Sequence, residues 1–195
     1  REAAEKLYGP DAWAEAKKAG GSEDFSYVMD HIPSSMFAFL GGYDEKDEDI
    51  YPLHNGKFRV NEKILKKGAA FYAQFAADYL EKKGFQIERG IAGLPTAFRA
   101  VYEQGKGGPS FGFLAEYDAL KGIGHACGHH MQGPSVIGAA LALRDLCKDQ
   151  PYKIVIYGTP AEETVGGKII MKEKGCFQDI DLVLMMHAAP NTCVD

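Results

Sequence analysis

The sequence contains no apolar run approaching the ~18 residues that a membrane-spanning helix needs, so no membrane partner is expected. Its polar beginning, from Arg1 onward, lacks the apolar stretch of a secretory signal. Cysteine is scarce. Four irregularly placed thiols in 195 residues are too few for a disulfide scaffold, and a reducing compartment, the cytoplasm, is expected. Positive charge is in deficit, with 22 Lys and Arg against 27 Asp and Glu and a net charge of −5. That balance excludes a general nucleic-acid binder or a protein drawn to anionic membranes. Repeats and low-complexity tracts are missing too, which removes solenoids and disordered tails. What remains is ordinary globular composition, 46% hydrophobic and 25% charged. The length suits one domain by the usual ~150 residues per domain and is enough for a real core.

Residues 2–19 are helix-prone and interrupted at Gly9-Pro10, with Gly20-Gly21 as a stop. A short helix capped near Ser22 is expected to run toward Pro33. Residues 36–40 read as a buried strand ending at Gly41-Gly42, and 44–49 as an acidic loop. The longest helical pattern covers 61–83, from the N-cap candidate Asn61 to a C′ glycine at Gly84. Strands are predicted over 85–88, 97–102, 110–116, 152–158 and 181–187, with helices over 131–147 and 167–174. Near-continuous apolar strands alternating with helices predict a single α/β domain whose largely parallel sheet is covered on both faces.

Polar, metal-competent residues stand where such strands should end, and ligands of open α/β sheets bind at that edge. Residues 124–130 (GHACGHH) hold Cys127 and His129 two positions apart, so both side chains point the same way in an extended loop. A thiolate and an imidazole suit a borderline-soft divalent ion. Glu162 and Glu163 follow the 152–158 strand directly. Paired like charges there are costly without a cation, although acidic residues are also common at a solvated helix start. His187 closes another apolar strand and His54 lies in a loop; each alone is ordinary. Together Cys127, His129, Glu163, His187, His54 and the spare Glu162 form an inventory for two metal ions, able to clamp a carbonyl and generate hydroxide.

The runs 112–120 (GFLAEYDAL), 122–129 (GIGHACGH), 158–163 (GTPAEE) and 184–187 (LMMH) resemble the metallopeptidases of peptidase family M20. The likeness is to its amidohydrolase branch, which acts on aminobenzoyl-glutamate, indole-acetyl amino acids and N-acyl amino acids. Residues 21–25 (GSEDF) and 51–54 (YPLH) resemble the C-terminal end of that branch. The resemblance implies a three-layer α/β/α sandwich with a mixed, largely parallel sheet, of the zinc-peptidase catalytic type. It implies Cys127 as a bridging thiolate, His129, Glu163, His187 and His54 as the other ligands, and Glu162 as general base and acid. Asp118 matches a carboxylate behind the ligands, and Glu116 stands where the wider family has a ligand histidine. Lys121 and His130 depart from the family's usual Pro and Asn or Asp, away from any ligand position.

Order is the larger departure. Residues 1–83 resemble the family's second half and 84–195 its first, so the expectation is one circularly permuted catalytic domain. The inserted lid and dimerisation domain is absent from it, and the family homodimer is expected to be lost. The implied function is hydrolysis of the amide of a small N-acyl amino acid or dipeptide-like substrate, through a hydroxide bridging two divalent ions. Zn or Mn is expected, with Co and Ni also compatible with mixed N, O and S ligation. Two rivals are a lidless metal-binding scaffold with little turnover and a cysteine hydrolase built on Cys127 with His125 or His129.

Overall fold

The computed structural model describes residues 1–15, 24–32, 36–43 and 46–189. The chain divides into two compact units, Arg1–Gly68 and Ala69–Asp195. In the first, helix α1 (Glu2–Tyr8) stops where Gly9 takes a left-handed φ of 93° ahead of Pro10. Helix α2 (Phe25–His31) follows. The expected Gly20-Gly21 stop and the cap near Ser22 lie outside the described residues, as do residues 21–23 of the GSEDF run.

Residues 36–40 form no regular element, contrary to the buried strand expected from their composition. Met36, Phe37, Phe39 and Leu40 are exposed, and Phe37 packs edge-on against Phe39 with ring centroids 5.0 Å apart. A strand needs a neighbour to take its backbone hydrogen bonds, and an apolar composition does not supply one.

The long helical pattern is realised as a 3-10 turn at Glu62–Ile64 leading into α3 (Leu65–Lys82). Asn61 caps it as expected, its Oδ1 accepting the Lys63 N–H at 3.1 Å. At the far end Gly84 adopts φ 89°, and its N–H donates to the Glu81 carbonyl while the Phe85 N–H donates to that of Leu80. This paired closure is the Schellman arrangement, and buried Leu80 and Phe85 belong to one core cluster beneath it.

The second unit is built on strands β1 (Gln86–Arg89), β2 (Phe98–Gln104), β3 (Ser110–Glu116), β4 (Tyr152–Thr159) and β5 (Leu182–Met185). Helix α4 (Gln132–Leu146) joins β3 to β4; the short α5 (Glu162–Val165) and α6 (Gly167–Glu173) join β4 to β5. The spatial order is β1-β2-β4-β3-β5. Strand β2 is antiparallel to both of its neighbours, and β3 is parallel to both of its own, so β2 alone opposes the common direction. The sheet is mixed and largely parallel, as expected.

Alternation along β4 makes the three layers. Tyr152, Ile154 and Ile156 join α3 and α4 through Ala77, Leu80, Val136 and Ala140. Val155 and Tyr157 join Met171 of α6 on the opposite face. Strand β5 departs from the expected burial: Leu182, Val183, Leu184 and Met185 are all exposed on an edge paired only with β3. Cys127, Cys147 and Cys176 carry free thiols. Among the described residues no helix is long and apolar enough to cross a membrane.

Candidate metal centre

Because β3, β4 and β5 are parallel, their C-terminal ends open on one edge of the sheet. Glu116, the last residue of β3, lies in register with Thr159, the last of β4. Leu114 lies in register with Met185, so His187, two residues past β5, comes level with Glu116 at the same edge. After β4 the chain turns through Ala161, whose left-handed φ of 62° is costly for a residue with a Cβ. That turn starts α5 at Glu162 and Glu163. The loop after β3 returns through Gly128 at φ 77°, where an added Cβ would stand 2.8 Å from the Ala188 Cβ. Glycine is needed there twice over, and it lets the loop close against the His187 segment.

His129 is the centre of the cluster and is 1% exposed. Its Nδ1 lies 3.2 Å from the Asp118 backbone oxygen and 3.2 Å from Asp118 Oδ1. The other oxygen, Oδ2, accepts the Glu163 backbone N–H at 2.9 Å, so one carboxylate holds two elements of the site. His129 Nε2 is fully buried and has no hydrogen-bond partner among the described residues, although it lies 3.2 Å from Glu116 Oε2 and 4.0 Å from Glu163 Oε1. The His187 ring stands edge-on to that of His129, with centroids 5.2 Å apart.

Donor atoms of Glu116, His129 and His187 fall within 4.8 Å of one another, and so do those of His129, Glu162 and Glu163. Cys127 lies near the second group, within the electrostatic reach of Glu163, Glu162 and Asp118. The Glu163 carboxylate, then burial and the charges of Glu162 and Asp118, push the Cys127 thiol above its ordinary range. A thiol ringed by carboxylates is the reverse of what a nucleophilic thiolate needs, which tells against the cysteine-hydrolase reading. A divalent ion would invert this balance, since a coordinated thiol loses its proton outright. The residues fit such an ion on one further ground. A buried nitrogen without a hydrogen bond costs roughly 1–3 kcal/mol, and a cation among His129, Glu162 and Glu163 would satisfy it.

Of the residues singled out in the sequence, Cys127, His129, Glu162, Glu163, His187 and Asp118 are gathered at this edge. His54 belongs to the first unit, exposed in a tight turn at φ 67°. The sequence reading left Glu116, Gln132 and Lys168 without roles, yet all three line this cluster. Gln132, buried at the start of α4, donates from Nε2 to Glu116 Oε2 at 2.8 Å and accepts the Glu116 N–H at 3.0 Å. Lys168 Nζ donates to Glu116 Oε1. Burial raises the Glu116 pKa, but the bonds from Lys168 and Gln132 outweigh it and hold the carboxyl below its usual range. A signal was present in Lys168 itself, a cation in the first turn of a helix, where the dipole disfavours it.

Metal-competent side chains at the C-terminal edge of an α/β sandwich define a candidate metal centre, and the chain's relatives give its family. It belongs to peptidase family M20/M25/M40, whose family model matches residues 1–78 and 109–194. The human Xaa-Arg dipeptidase is 47% identical over 107 residues, covering 48% of this chain and 24% of that protein. A p-aminobenzoyl-glutamate hydrolase polypeptide of Escherichia coli (strain K12) is 34% identical over 134 residues, covering 59% and 27%. The chain thus spans about a quarter of the length of these two curated relatives. Among solved structures, a Bacillus subtilis protein described as a dinuclear metal binding peptidase from the M20 family superposes with a TM-score of 0.53 at 24% identity. That match covers 62% of this chain and 37% of the other, and it carries the fold.

Proposed function

We propose that this chain is the catalytic domain of a metal-dependent amidohydrolase acting on small N-acyl amino acids or dipeptide-like substrates. The observation that carries this reading is the convergence of Glu116, His187, Glu162 and Glu163 on buried His129, whose Nε2 has no hydrogen bond among the described residues. The chain's family and its likeness to a dipeptidase and an aminobenzoyl-glutamate hydrolase support the substrate class.

Cys127, His129, Glu163, His187 and His54 are the proposed holders of two divalent ions, Zn or Mn first. Bound ions would polarise the scissile carbonyl and acidify water toward a pKa of ~7. Asp118 accepts from His129 Nδ1 and so leaves Nε2 as the ligand atom, while its second oxygen fixes the backbone of Glu163. Glu162, exposed beside that ligand, takes a proton from the attacking water and returns it to the leaving amine.

The chain is proposed to follow the family's order in exchanged form, with residues 1–83 serving as its second half and 84–195 as its first. Turnover of N-acyl amino acids is the expected activity. It should vanish with a chelator and return with added divalent ion. Hydrolysis that survives chelation would overturn the metal reading.

A further inference from the structure

Glu116 is the most deeply buried carboxylate of the site, 1% exposed, and an ion held by His129 and His187 would lie within its reach. A carboxylate so placed is ordinarily a ligand, because burying its charge requires a cation. Here the cation is already built in. Lys168 approaches Oε1 from the first turn of α6, with its own side chain 27% exposed. Gln132 covers Oε2, and its Oε1 closes a second bond back to the Glu116 backbone. Both carboxylate oxygens thus have donors from the protein, one of them charged.

We infer that Lys168 is a positioning residue that keeps Glu116 out of the metal's ligand set, so that Glu116 serves as a neutralised wall behind His129. The inference rests on the metal reading above. Four carboxylates and a thiol meet at this edge: Glu116, Asp118, Glu162, Glu163 and Cys127. If every one competed for the ions, the centre would be over-supplied with anionic oxygen, and its net positive charge toward a carbonyl would fall. Pairing Glu116 with Lys168 removes one anion from that competition without removing it from the fold. Lysine suits the task, since a compact ammonium on a flexible stem can reach a buried oxygen from a partly exposed helix turn.

The test is titration of the full chain with Co²⁺, read by its visible absorption, whose intensity falls as coordination number rises. Lys168→Met frees Glu116 to ligate, so its Co²⁺ bands should weaken and shift from those of the wild type. Lys168→Arg should restore the wild-type spectrum, and so should Lys168→Met combined with Glu116→Gln. Glu116→Gln alone keeps the shape of the site and should leave the spectrum unchanged, a check that stands even if Lys168→Met does not fold. A wild-type spectrum in Lys168→Met alongside a lowered Tm would make the pair purely structural and overturn the inference. A changed spectrum in Glu116→Gln would show that Glu116 is already a ligand, with the same consequence. Absence of Co²⁺ binding by the wild type would instead overturn the metal reading itself.

Discussion

Glu162→Gln is expected to retain its metal and lose roughly 10²–10⁴-fold in kcat, the usual contribution of a positioned general base. Glu163→Gln is expected to fail earlier, by losing metal. The two neighbours differ because the turn at Ala161 sends them different ways. Glu163 is fixed through its N–H by Asp118, within the donor set around His129. Glu162 is exposed at the mouth, with a carboxylate oxygen still inside the 4.8 Å group that includes His129. An amide in place of Glu162 cannot carry a proton, whereas an amide in place of Glu163 loses the charge that holds a cation. Metal content and turnover of both variants separate the roles. Equal metal loss in the two would show that the assignment is wrong.

Asp118→Ala is expected to weaken metal binding by about 10–100-fold, the range for carboxylates that orient ligand histidines. Its two oxygens hold His129 Nδ1 and the Glu163 N–H, so its removal loosens two proposed ligands at once. The Asp118 backbone oxygen also accepts from Nδ1 and survives the change, which keeps the loss short of abolition. Asp118→Asn retains an acceptor and should recover part of the affinity. Competition against a chelator of known strength measures the difference; unchanged affinity in Asp118→Ala would contradict the role.

Local chemistry explains which parts of this molecule could be read in advance. The Asn61 cap and the Gly84 closure are set by single residues within a few positions, so the ends of the long helix were legible. Strands β3 and β4 are buried on both faces and read as near-continuous apolar runs. The same composition misled at residues 36–40 and at β5, where exposure depends on what lies alongside. Ligand-type residues were legible because Cys, His and paired Glu at strand ends are unusual. Lys168 and Glu116 were not, since they lie 52 residues apart and only the parallel pairing of β3 with β4 brings them together. Nor does any spacing in the chain announce that Asp118 serves both His129 and Glu163.

The central claim is a two-ion centre carried by this chain. Equilibrium dialysis of the purified protein against excess Zn²⁺ or Mn²⁺, followed by metal analysis, tests it most directly. The account predicts two equivalents of divalent metal per chain. Retention of one equivalent or none at saturating metal would contradict it.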